Sequence, residues 1–198
     1  MNHTANTASS DNCINISKFI NELHKLQSRF SYIIEYPEDL TDLIHILKTP
    51  DNRIIGITIN TDDDSHNPLY RIRIKSGADG SVCGVLKCKE MIKVTENCGV
   101  HRYFNFHFEA DCGQSASKTF RFDFNPKQDP PLHAHRYSDI DRHLVYPEDT
   151  LLKLFLLDFC TIMHTLSYYI KHPEQYPLDD CDIYNKLISN TRRIYNDI

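Results

Sequence analysis

The chain has 198 residues and a formal net charge of −5, with 40% hydrophobic and 25% charged residues. That balance excludes a wholly disordered chain, and 6 Gly with 9 Pro exclude the fibrous and low-complexity classes. The acidic sum excludes a general nucleic-acid coat or a basic membrane-surface protein, both of which need an excess of Lys and Arg, although it leaves room for a local basic site.

Residues 1–13 are polar and without period, so they predict a disordered leader ahead of a single α+β domain spanning 14–198. Met1 to Asn12 carries neither a basic nor an apolar targeting region, and the 7 Cys include no CxxC pair. Together these features predict a cytoplasmic protein with reduced thiols. Ile16, Phe19, Ile20, Leu23, Leu26 and Phe30 follow the helical period and predict a helix from about Ser17 to about Phe30. A second helix is predicted after Tyr36-Pro37-Glu38-Asp39, with Leu40, Leu43, Ile44 and Leu47 as its apolar stripe.

The period then changes to two. Ile55, Ile57 and Ile59, then Tyr70, Ile72 and Ile74, then residues 82–95, 100–108 and 118–124 alternate between turn-forming clusters. The expectation is an antiparallel meander of about five strands flanked by N-terminal helices. After Asp129-Pro130-Pro131, the run His133-Ala134-His135-Arg136-Tyr137 reads as extended. Tyr146-Pro147-Glu148-Asp149 repeats the earlier helix-start chemistry, and residues 151–170 are apolar almost all round. Lys153, Asp158 and His164 interrupt that run, so it predicts a long, largely buried core helix and not a membrane span. A weaker helix is expected from about Asp180 to Ile194.

Chemistry concentrates between His101 and His135. Parity places Phe104, Phe106 and Phe108 on one face of their strand and His101, Tyr103, Asn105 and His107 on the other. The next strand places Phe120, Phe122 and Phe124 opposite Arg121 and Asp123 in the same way. A wetted sheet face also looks polar, but Thr, Lys and Glu dominate such faces, whereas these groups titrate near neutrality or bind anions. His133 and His135, two apart on an extended segment, point the same way. The candidate catalytic set is therefore His133, His135, Asp123 and His107. Arg121, Arg136, Tyr137, Tyr103, Arg71 and Arg73 are the candidate substrate-binding groups, and Lys75, Lys87, Lys89 and Lys93 extend a basic track. No dedicated metal motif is present. A divalent metal at His133 and His135, with His107 or Asp123 completing the set, is the alternative use of the same residues.

The order of features across residues 80–170 resembles the TumE-like toxins of bacterial toxin–antitoxin pairs. It comprises Gly80-Ser81 before a strand with Lys89-Glu90, a Tyr-containing strand, the Phe120-Arg121-Phe122-Asp123 strand, a Pro-rich His-x-His segment and a leucine-rich stretch. That resemblance implies a growth-inhibiting protein with a cognate antitoxin as partner, acting on RNA or translation. The leading expectation is a toxin-like or defence-associated, metal-independent ribonuclease. In it His133 and His135 serve as acid and base, Arg121 and Arg136 hold a phosphate, and Asp123 orients an imidazole. The alternatives are a non-enzymatic protein-binding module using the polar sheet face and a metal-dependent hydrolase.

Overall fold

The computed structural model describes residues 16–36, 39–61, 71–76, 80–94, 100–111 and 118–191. The expected leader lies outside them, as do Tyr70 and the end of the last expected helix. The architecture is α+β: the described residues form nine strands in one antiparallel sheet, with three α-helices. The strands are β1 (Ile34–Tyr36), β2 (Ile44–Lys48), β3 (Ile54–Asn60), β4 (Ile72–Lys75), β5 (Val82–Val94), β6 (Val100–Ala110), β7 (Phe120–Phe124), β8 (Leu132–Arg136) and β9 (Asp139–Val145). The helices are α1 (Ile16–Phe30), α2 (Phe159–Lys171) and α3 (Cys181–Asn190). None of the described helices is long and apolar enough to cross a membrane.

The main path runs β1-β4-β5-β6-β7-β8-β9 and does not close on itself. Strand β5 is 13 residues long and serves two partners along one edge: β4 pairs with its first half and β3 with its second. From β5 to β9 each strand pairs with the next in sequence, as a meander requires.

The aromatic faces expected from parity form the centre of the core. Phe104, Phe106, Phe108, Phe120 and Phe122 are all buried, and Tyr169 of α2 meets Phe108 and Phe120 edge-on, at ring distances of 6.3 and 5.8 Å. Each such ring contributes about 1.5–3 kcal/mol by leaving water. The apolar stripe of α1, Phe19, Leu23, Leu26 and Phe30, is buried too, and Phe30 packs edge-on against His164 of α2.

Three sequence expectations need correction. The second helix is instead a short 3-10 turn, Leu40–Leu43, followed by β2. Asp39 caps the turn by accepting from the Thr41 amide, and Leu40 and Leu43 are buried by it. The next residues are drawn into a hairpin with β3 by the Thr49-to-Arg53 turn, in which Asn52 takes a left-handed φ of 64° that Asn tolerates. The apolar period of Leu40 to Leu47 fits a helix locally, but pairing with β3 outweighs it. Second, residues 146–149 form a turn, not a helix start. Third, residues 151–170 are not one helix. Leu151 and Phe155 are 72% and 49% exposed, Leu154–Leu156 form a 3-10 turn, and α2 starts only at Phe159. Asp158 sets that start: its side chain accepts from the Thr161 amide, while the Thr161 hydroxyl accepts from the Asp158 amide in a capping box.

Candidate functional site

The site lies on the sheet face opposite the phenylalanines. Strand register sets its residues in two adjacent cross-strand rows. One row runs Lys89, Asn105, Asp123, His133, and the other runs Lys87, His107, Arg121, His135, from β5 to β8 in both cases. Side chains at one parity of an antiparallel sheet project together, so this register brings the candidates to one surface.

Asp123 is at the centre. Its Oδ2 lies 3.2 Å from His135 Nε2, 3.6 Å from His133 Nε2 and 2.7 Å from Arg121 Nε. Its Oδ1 accepts from the Asn105 amide. Asp123, His133 and His135 are 4%, 4% and 5% exposed, so the three shield one another from water. The Asp123 Oδ2 accepts no well-aligned hydrogen bond among the described residues, which makes its close contact with Arg121 an ion pair and not a directed bond. Burial alone would raise the Asp123 carboxyl, but the His135 imidazole, the Arg121 guanidinium and His133 outweigh it and hold the group below its usual range. Burial lowers His133, which Asp123 opposes and the neighbouring His143 and His135 reinforce, so this ring favours its neutral form. Its Nδ1 lies 3.0 Å from the Pro130 carbonyl oxygen. A proton on Nδ1 satisfies that carbonyl and leaves the Nε2 lone pair facing the cluster.

A residue that sequence reasoning missed completes the group. His143 of β9 lies tilted by 30° against His133 at a ring distance of 4.3 Å and meets His135 edge-on at 4.9 Å. One nitrogen from each of His133, His135 and His143 falls within 4.8 Å of the others. The signal for it was the segment Asp139–Val145, which alternates from the turn at Tyr137-Ser138 and puts His143 one residue out of phase with the buried Leu144. No family model, curated protein or solved structure matches the chain.

Not all the expected residues gather here. His107 is on the same face, directly across from Arg121, but its Nδ1 faces Glu109 at 3.6 Å and it does not touch the imidazole cluster. Burial holds its ring below the usual imidazole range. Arg136 is corrected outright: it follows His135 on β8, so it projects to the opposite face, where it pairs with Asp179 and lies over the Tyr176 ring. Tyr137 belongs to that side too, with its ring edge-on to Tyr176 at 5.2 Å. Tyr103 is on the polar face, across from Met91 on β5. Arg71 is exposed just before β4, and Arg73 on β4 pairs with Glu35 of β1 at 2.9 Å. Strand β4 is four strands from β8, roughly 19 Å at the usual strand spacing, so neither arginine is a neighbour of the histidines. Of the basic track, Lys87 is already paired with Glu109, and Lys89 remains an exposed cation on the polar face.

Proposed function

We propose that the chain is a metal-dependent hydrolase whose centre is a divalent transition-metal ion held by His133, His135 and His143, with Asp123 as the carboxylate that orients the imidazoles. One observation carries this reading: three imidazoles from adjacent strands bring ligand nitrogens within 4.8 Å of one another beside a buried carboxylate oxygen that lacks an aligned donor. Ligands at about 2.0–2.1 Å from a tetrahedral zinc-type ion lie about 3.3–3.4 Å from each other, so the three imidazole nitrogens, within 4.8 Å of one another, would draw together on the ion by side-chain rotation. His133 also has the arrangement usual for a metal-ligating histidine, with one ring nitrogen held by a backbone carbonyl and the other facing the cluster. Imidazole and carboxylate donors suit zinc and its neighbours in the first transition row. Three protein imidazoles with an exposed member leave a position that solvent reaches, which is the pattern of catalytic rather than closed structural sites. Such an ion supplies a Lewis acid and a source of hydroxide near neutral pH.

The metal-free acid–base reading is less well served by the same residues. Both buried imidazoles face one oxygen of one carboxylate, whereas an acid and a base for a displacement must flank the scissile bond. RNA as substrate, and a protein partner of antitoxin type, rest on the resemblance across residues 80–170 and are the first substrate and partner to try. The test of the centre is metal content. Protein stripped with chelator and reloaded with Zn2+ or Co2+ should retain one ion per chain, and Co2+ should give the visible absorption of a tetrahedral site. Retention no greater than that of a variant with both His133→Ala and His135→Ala sinks the proposal.

A further inference from the structure

We propose that the substrate of this centre carries a phosphate group, clamped between the metal and the guanidinium of Arg121, which changes partner from Asp123 to the phosphate when the metal binds. The inference rests on the metal reading and names its substrate class. Arg121 lies directly across the strands from His135, one strand away from a metal ligand, and its side chain is 39% exposed while that of Asp123 is 6% exposed. Its close polar contact is the Asp123 Oδ2 that the metal ligands also face, and that contact is not an aligned hydrogen bond. A divalent ion entering the cluster satisfies Asp123 and repels the guanidinium. Of the two cations only the arginine is free to swing toward solvent. There it stands beside the metal's open side with its planar fork of donors, a fork that matches phosphate oxygens.

The planar fork of Arg121 can meet two oxygens of a tetrahedral phosphate and leave a third for the metal, whereas a planar carboxylate has only two oxygens to share. The charge balance agrees: Glu109 already pairs with Lys87 at the other end of the row, so the uncompensated positive charge sits at the metal and Arg121.

The test uses the Co2+-loaded full chain and inorganic phosphate as probe, read by paramagnetic broadening of the 31P signal, with acetate as competitor. Wild-type protein should broaden the signal, and acetate should not displace phosphate. Arg121→Gln should weaken phosphate binding about tenfold or more, as expected for losing charge-assisted hydrogen bonds, while Co2+ is held at least as tightly because a competing cation is gone. Arg121→Lys, which keeps the charge but not the fork, should fall between. Opposite effects of Arg121→Gln on metal and on phosphate are not what loss of a merely structural contact produces. Loaded protein that ignores phosphate, or an Arg121→Gln variant with unchanged phosphate affinity, overturns this inference and leaves the metal centre standing. Failure of Co2+ to load overturns both.

Discussion

Glu90 is the residue whose replacement should cost the fold most for the smallest change in volume. It lies on the inward parity of β5 between Ile59 and Phe104, and it is 0% exposed. Its Oε1 accepts from Arg102 Nη2 at 2.7 Å and Nε at 3.2 Å, and its Oε2 accepts from the Phe159 amide at 2.8 Å, so one carboxylate ties β5, β6 and the start of α2 together. The Glu90→Ala substitution leaves Arg102 without its anion at only 19% exposure and leaves the buried Phe159 N–H without an acceptor. Breaking a buried pair from one side costs about 3–5 kcal/mol, of which an orphaned amide accounts for about 1–3 kcal/mol. Arg102 keeps the Leu157 carbonyl and some water, so the lower half of that range is expected. At about 2–4 °C per kcal/mol for a domain of this size, the midpoint should fall by roughly 6–16 °C. Glu109→Ala, which breaks a solvent-facing pair with Lys87, should cost less than about 1 kcal/mol and is the control. Urea and thermal unfolding followed by circular dichroism measure both. A Glu90→Ala loss no larger than the control's would show that this carboxylate does not clamp the helix. The pH dependence has a definite sign. Burial pushes the Glu90 carboxyl up to about 7 from its ordinary 4.5, with Arg102 pulling it down and Asp158 pushing it up. A folded value above the unfolded one means stability that is present in full below about 4.5 and is lost as pH rises through about 7. The gap between wild type and Glu90→Ala should therefore narrow from pH 5 to pH 8, and a gap that widens would mean ion pairing dominates burial.

Gly84→Ala should destabilise by about 1–3 kcal/mol, toward the upper end, because a new Cβ would lie 2.5 Å from the Glu109 carbonyl oxygen and 2.7 Å from the Phe108 ring; unchanged urea midpoints would contradict the close approach of β5 and β6. Phe155→Asp should remain soluble and cooperative within about 0.5 kcal/mol of wild type, as surface changes usually do, since the ring is 49% exposed; insoluble expression would show that it is covered. His143→Ala should keep the fold within the same margin of about 0.5 kcal/mol, because the residue is exposed, yet lower Zn2+ affinity by an order of magnitude or more, read by competition with a chromogenic chelator.

How far the site was legible depends on what period two can tell. Asp123, Arg121, His133 and His135 could be placed on one face because strong alternation with buried phenylalanines fixes parity on β6 and β7, and a two-residue repeat fixes it on β8. The same rule carried further would have removed Arg136, which is adjacent to His135 and so must face the other way in any strand. His143 was hidden for a different reason. Strand β9 sets Leu144 among Asp139, Asp141, Arg142 and His143, so local pattern alone does not separate an edge strand from a loop.

The helix errors have the opposite origin. Leu40 to Leu47 and residues 151–170 carry enough apolar residues to satisfy a helical period, and the deciding information lay in single polar residues. Asp158 reads in the sequence as an interruption of a helix but is the cap that begins one, and the Thr49-Pro50-Asp51-Asn52 turn that makes β2 a strand lies after the stretch whose pattern suggests a helix. Caps and turns act through one or two hydrogen bonds worth about 1 kcal/mol each, yet they decide where elements start because apolar burial is nearly indifferent to a shift of one turn. For the site this matters directly. By starting α2 at Phe159, Asp158 and Glu90 lock the helix whose Tyr169 packs on Phe108 and Phe120, and these aromatic contacts hold β6 and β7 flat against the core, with Arg121 and Asp123 on the outer face beside the three histidines.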